Sequence, residues 1–577
     1  MNRKQRRAAQ KQNSSVSSPS PTTGDSIRPL LAQAAQAQAH NKLAEAARAY
    51  QRILALKPDH AEVLNNLGCV LQAQGKLAEA SICFARALTL MPQLFDQFGG
   101  VMSALTMVSP PLGEAMRRAE TAWPQRLSTQ ELLDGGLTPI AADPLLACIL
   151  ASAPVRDIAL ERALTSLRRS LLLMHAPDDA ALVFACRLAK QCFINEYVFA
   201  TTDEEDAAVE KIAAQVDGAL ASGADLAPLQ ITQLAMYRPL FTLAQALSLL
   251  DRPWPRPLNE MLTQQVREPM QEHALRDTIA RLMPIDDVVS QRVRAQYEEN
   301  PYPRWVRVAG QVEPTAIERY LRDLFPTAGF TAPGKTADLD VLVAGCGTGW
   351  QAIGTAQKFA GARVLAVDLS LSSLAFAKRQ TPPSLAARID YAQADILALG
   401  ALDRRFDMID ASGVLHHMAD PLAGWRILLT LLKPGGFMHV GLYSEVARRD
   451  VVEARAFIAE RGYKATPADI RRCRQDILQT QLRSLASAND FFSMSECRDL
   501  LFHVQESRMT ILQIKEFIAA QKLKFLGFEF AATAQRRFRA LFEQNGWSTG
   551  NLDRWHEIET AHPETFAGMY HFWMQKP

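Results

Sequence analysis

The residues with most chemical promise begin in one stretch, "DVLVAGCGTGWQAIG", Asp340 to Gly354. An apolar run ends there in glycines at Gly345, Gly347 and Gly349. Turns of this kind hold dinucleotides when a third small residue lets the pyrophosphate settle against the following helix. Trp350 stands at that third position, and its bulk obstructs such packing. Further along, Asp368 closes the apolar run "RVLAVD", 23 residues after Gly345, and Asp395 closes "IDYAQAD". The segment "VLHHM" then supplies His416 and His417. A neutral imidazole there could take a proton from a hydroxyl or an acidic carbon.

These groups need a frame, and the pattern after Ala337 provides one. Short apolar strands alternate with helical segments, which predicts a parallel sheet with crossovers. The strands read as Asp340–Ala344, Arg363–Asp368, Ile389–Asp395, Phe406–Ser412 and Phe437–Tyr443, with Leu523–Phe530 and Met569–Lys576 as sixth and seventh. A helix is expected over Trp350–Phe359, ended by Gly361.

In this frame the glycine turn resembles motif I of the class I S-adenosylmethionine-dependent methyltransferases, and "FDMIDASGVLHHMADP" and "LLKPGG" resemble that family's stretches around its fourth and fifth strands. The resemblance implies a Rossmann-like, seven-stranded domain that binds S-adenosyl-L-methionine and needs no metal. It places Gly345, Gly347 and Gly349 around the methionyl part. Asp368, with Leu369 beside it, would accept hydrogen bonds from the ribose hydroxyls. Asp395 would read the adenine amino group, with Ile396 beside the ring and Ser412 at the end of the fourth strand. S-adenosylmethionine carries no phosphate, which agrees with Trp350.

The acceptor side is less patterned. "NPYPRW", Asn300 to Trp305, is stiffened by two prolines, and Tyr302, Arg304 and Trp305 give it flat and charged faces that could roof the pocket. Residues 444–522 exceed what one crossover requires and should fold as helices above the strands' carboxyl ends. Tyr443, Phe491, Phe492, His503 and Glu506 are the candidates for the acceptor lining. His416 and His417 are the candidate bases; adjacent helical residues point about 100° apart, so one of the two should face the acceptor.

The first half of the chain reads as all helical. "KLAEA" at Lys42–Ala46 recurs at Lys76–Ala80, and Pro58 recurs as Pro92, a period of 34. That is the tetratricopeptide period. Repeats are expected over 27–60 and 61–94, with a degenerate copy over 95–124. They follow a basic, Ser/Pro-rich tail over 1–26 that should not order itself. Residues 125–290 read as a helical middle domain, with "QCFINEYVF" (Gln191–Phe199) as a buried helix. The methyltransferase domain is assigned 291–577. The whole resembles bacterial proteins that join tetratricopeptide repeats to a methyltransferase domain.

Such a solenoid commonly holds a protein or peptide, or pairs with a second copy. The competing expectation is an interaction scaffold whose methyltransferase-like domain binds cofactor without turnover. With 63 Lys and Arg against 61 Asp and Glu, the net charge of +2 offers no overall attraction to nucleic acid or membrane. The Asn/Asp-Pro-Pro-aromatic motif of nucleobase methylation is replaced by "ASGV". The eight scattered cysteines, the absence of an apolar run after the basic start and the absence of a spanning segment point to the cytoplasm.

Overall fold

The computed structural model describes residues 23–91, 98–307, 313–331, 338–566 and 568–577. Pro92 and most of the N-terminal tail lie outside the described residues. The chain divides into two compact units, 1–113 with 142–148, and 114–141 with 149–577.

In the first unit, helices Thr23–Ala39, Leu43–Leu56, Ala61–Ala73 and Leu77–Leu90 pack each on the next, followed by Phe98–Val108. Small residues set the spacing. Ala34, Ala46 and Ala80 are fully buried, and a Cβ on Gly68 would lie 2.7 Å from the Phe84 ring. The repeat pattern is thus read as helix contacts, with glycine where an aromatic ring presses on the neighbouring backbone.

The second unit is built on one sheet with strands β1 (Ala280–Arg281), β2 (Leu339–Ala344), β3 (Ala362–Asp368), β4 (Ile389–Gln393), β5 (Phe406–Ser412), β6 (Leu432–Tyr443), β7 (Lys524–Phe528) and β8 (Met569–Gln575). Their order is β1-β4-β3-β2-β5-β6-β8-β7, and only β8 runs antiparallel to its neighbours. Seven strands were expected, and among the described residues the sheet has eight. The extra one, β1, is a two-residue pairing with Ala392 and Gln393, too short to carry a periodicity. "LKPGG" is also not a separate turn: β6 starts at Leu432 and passes through it, with a register irregularity opposite β5. β2, β3 and β5 are buried almost throughout because helices cover both faces. One side packs Trp425 and Phe572, the other Phe359 and Phe437. The strand order reverses around β2, and the carboxyl ends of β2, β3 and β5 open there into a crevice.

The helices over 149–290 belong to the same compact unit as the sheet, whereas the sequence reading placed a division at 290. Helix Asp179–Ile194 stops at Asn195, so "QCFINEYVF" is helical only in its first part. Glu196 and Tyr197 then take φ of 55° and 62°. The bent backbone is used at once: Asn195 carbonyl accepts from Met494 N–H, the Glu196 carboxylate from Ser495 N–H and Tyr197 carbonyl from Arg471. Arg474 lies fully buried in a bidentate pair with Glu161, at 3.0 and 2.9 Å, and also donates to the carbonyls of Phe491 and Val198. The 444–522 segment forms helices Arg449–Arg461, Pro467–Ile477, Met494–Phe502 and Ile511–Ala520. The middle helices are its bed.

Candidate active site

A cavity of about 300 Å³ lies at the carboxyl ends of the central strands. β2 delivers the glycine turn, β3 Asp368 and Leu369, β4 Asp395 and Ile396, and β5 Ser412; all of these line it except Gly349, which caps helix Trp350–Lys358 and packs on Ala377. Asp368 is held by two backbone N–H groups, Gly347 to Oδ2 at 2.8 Å and Ser370 to Oδ1 at 2.9 Å. Burial raises its pKa, opposed by those two donors. Asp395 caps the short helix Ile396–Ala401 through Oδ1, which fixes the carboxylate toward the cavity. Each acid keeps acceptor capacity for hydroxyl or amino donors.

The strap Asn300–Trp305 closes over the turn. The Tyr302 carbonyl oxygen lies 2.8 Å from where a Cβ on Gly347 would sit, and Gly347 has φ of 51°, so this position admits only glycine. The Thr348 hydroxyl donates to the Pro303 carbonyl, and Trp305 Nε1 donates to Thr348. Two carbonyl oxygens therefore face the region a pyrophosphate would need. At helix Leu371–Gln380, the Glu298 carboxylate already accepts from Leu371 N–H and Ser372 N–H. Both features disfavour a phosphate-bearing cofactor, and the acids fit a nucleoside without one.

On the acceptor side the cavity meets Tyr297, Tyr302, Met418, Tyr443, Met569, His571 and His417. The structure separates the two adjacent histidines. His417 lines the cavity; its Nδ1 lies 3.0 Å from the Gln505 carbonyl, an acceptor only, so Nδ1 carries the proton and Nε2 is left as the acceptor. His416 lies outside the lining. Its ring stacks on Tyr443 at 3.6 Å, and neither nitrogen has a hydrogen-bond partner. Burial lowers both pKa values, in His417 against the pull of Asp499 and the Gln505 carbonyl.

The remaining expected lining residues stand elsewhere. His503 stacks on the far face of His417, ring centroids 3.7 Å apart. Glu506 is buried in a bidentate pair with Arg448, whose guanidinium covers the Tyr443 ring at 3.6 Å. Phe491 packs under Arg474 and edge-on to Phe492. Arg304 and Trp305 point away from the cavity. The segment 444–522 contributes no lining residue; it braces the wall from behind. The wall itself comes from helix Val288–Glu299 through Ser290, Val293 and Tyr297. Sequence reasoning passed over these, although Val293 and Tyr297 stand four apart on one helix face.

Behind the wall a hydrogen-bond chain fixes the protons. Gln505 N–H donates to His503 Nδ1 at 3.0 Å, His503 Nε2 lies 3.1 Å from the Tyr297 hydroxyl, and that hydroxyl donates to Asp499 at 2.6 Å. Donor atoms of His417, Asp499 and His503 lie within 4.8 Å of one another, a spacing that invites comparison with a metal site. The protons argue otherwise: with Nδ1 accepting, the neutral His503 ring carries its hydrogen on Nε2. The nearly parallel His417 and His503 planes, 21° apart, also keep their in-plane lone pairs from converging on one ion.

Residues 342–440 match the methyltransferase domain family, and residues 61–94 the tetratricopeptide repeat family. The chain carries an S-adenosylmethionine-dependent methyltransferase domain behind a tetratricopeptide repeat. Curated relatives align with part of the chain. An uncharacterised protein of Synechococcus sp. is 28% identical over 316 residues, 49% of this chain and 72% of that protein. The ubiquinone biosynthesis O-methyltransferase of Leptothrix cholodnii is 34% identical over 108 residues, 18% of this chain and 45% of that enzyme. The chain thus spans less than half the length of that enzyme. Among solved structures, PKMT2 from Rickettsia typhi in complex with AdoHcy aligns at 17% identity and a TM-score of 0.35, over 44% of this chain and 52% of that one.

Proposed function

We propose that this chain methylates an oxygen or carbon atom of an acceptor, with His417 as the general base and the tetratricopeptide helices recruiting a protein or peptide. The observation that carries the reading is the His417 tautomer: an imidazole that lines the cofactor cavity and whose Nε2 is left unprotonated because Nδ1 donates to the Gln505 carbonyl. The cofactor supplies an already activated methyl group. The acceptor proton passes to Nε2 as the methyl group arrives, and Asp499 offsets the imidazolium charge that results. A neutral amine would need no such base. The relatives named as O-methyltransferases support oxygen. Tyr302 and Tyr443, whose pKa values burial raises, stay as neutral hydroxyls at the acceptor end.

The eight scattered cysteines suit a reducing cytoplasm. Among the described residues no helix is long and apolar enough to cross a membrane. The experiment is methyl transfer from labelled S-adenosylmethionine into lysate of a strain lacking the gene, followed by separation into protein, lipid and small-molecule fractions. Label released by base hydrolysis from one fraction supports an ester-type oxygen acceptor, and base-stable label an ether or carbon. Cofactor binding with no label in any fraction would leave the domain a scaffold without turnover.

A further inference from the structure

The strap has two faces. Tyr302 and Pro303 meet the cofactor cavity, whereas Arg304 and Trp305 line a second cavity of about 180 Å³ on its other side. Helices Asp179–Ile194, Glu268–Arg276 and Leu371–Gln380 wall it, with a π-helical turn, Thr263–Arg267, at one edge. Such turns are frequent at functional sites.

Most of the charge around this cavity is matched. Arg379 binds Glu272 at 2.8 Å and Glu268 at 3.2 Å, and Arg304 shares Glu272. Glu260 is paired with Arg256. What is left over is specific. Lys190 makes no hydrogen bond or ion pair among the described residues and acts on the Glu268 carboxylate only at longer range. Gln264 Oε1 is buried with no partner, which is costly unless a ligand donates to it. Phe193 and Phe376 flank the Arg304 guanidinium at 5.1 and 5.4 Å, and Trp305 meets Phe376 edge-on.

We infer that this second cavity binds a small aromatic acid bearing an N–H or O–H donor. Its carboxylate would pair with Lys190, its ring would pack among Phe193, Phe376 and Trp305, and its donor would reach Gln264 Oε1. The volume, below the roughly 300 Å³ at which ligand pockets usually begin, admits one ring rather than a nucleotide. Trp305 donates to Thr348 in the glycine turn, so the occupant leans on the segment that roofs the cofactor. Occupancy is therefore coupled to cofactor affinity, and the coupling is reciprocal. The coupling rests on the cofactor reading; the binding does not.

The test is calorimetric titration of the full chain with 4-aminobenzoate, benzoate and aniline. Affinity should fall in that order. Lys190→Met should weaken 4-aminobenzoate at least tenfold, Lys190→Arg should retain it, and Gln264→Leu should erase its advantage over benzoate. Each variant's circular dichroism must match wild type, and the Lys190→Arg comparison guards against a folding effect. Failure of all three probes to bind, or binding indifferent to both Lys190→Met and Gln264→Leu, overturns the site. S-adenosylhomocysteine is then titrated with and without saturating 4-aminobenzoate; a severalfold shift is expected, and equal affinities overturn the coupling. Loss of all S-adenosylhomocysteine binding would instead strike the cofactor reading, leaving the aromatic-acid result to stand alone.

Discussion

His417 gives its Nδ1 proton to the carbonyl of Gln505, 88 residues further along the chain and 3.0 Å away. That bond leaves Nε2 as the lone-pair nitrogen of the imidazole that lines the cavity. Once an acceptor is in hand, His417→Gln should lower turnover about a hundredfold or more while S-adenosylhomocysteine affinity is unchanged. His416→Gln should leave the chemical step near wild type, since its ring is packed against Tyr443 outside the cavity. Equal losses in the two variants would remove His417 from its role.

The pH profile gives an independent check. Burial holds His417 below the usual histidine value of 6.5, so the base is unprotonated at neutral pH and protonates only at lower pH. The acid limb of turnover should fall below pH 6.5 and vanish in His417→Gln. A limb at or above 6.5 would mean that the titrating group is another.

Asp368 should lose its partners with the ribose when truncated. Asp368→Ala should weaken S-adenosylhomocysteine binding by about 2 kcal/mol or more, measured by calorimetry. The variant also frees the Gly347 N–H, so Asp368→Asn is the companion: it keeps the shape, removes the charge and should fall between the two. An alanine variant that binds like wild type would displace the ribose assignment.

His503 makes a stability prediction with a definite sign. Burial, and then the neighbouring His417, push its pKa down to about 2. The unfolded chain therefore binds a proton that the folded chain refuses, and stability from this group is present above pH 6.5 and lost as pH falls below it. Between pH 7.5 and pH 5, urea denaturation should show a smaller stability loss for His503→Gln than for wild type. An equal or larger loss in the variant would contradict the burial argument.

Arg474 and Glu161 are buried together. Arg474→Met leaves a carboxylate without its partner and should cost roughly 3–5 kcal/mol in urea denaturation. Adding Glu161→Met should recover much of it, because the penalty is the stranded charge. A double variant no more stable than the single one would place the cost in packing instead.

The cofactor half of the site was legible because its geometry is local. Asp368 ends β3, Gly345 and Asp395 follow β2 and β4 within two residues, and strand ends can be counted along a sequence. The acceptor half was not, for a physical reason. Tyr297 reaches the cavity only because helix Val288–Glu299 crosses the strand ends, and Gln505 matters through a backbone carbonyl that any residue type could supply. His503 and Glu506 have the composition of lining residues, yet burial and partners such as Arg448 place them one layer back. β1 escaped notice because two residues carry no pattern.

The Glu161–Arg474 bond also sets a clock for biosynthesis. Its partners are 313 residues apart, and at about 5–20 residues per second of synthesis Glu161 waits roughly 15–60 s for its guanidinium. Through that interval the nascent middle helices hold a carboxylate they cannot bury alone, and their apolar bed for the segment 444–522 stays uncovered. Messages that end early should thus yield chains that chaperones retain and proteases clear, even when every helix before residue 290 has been made.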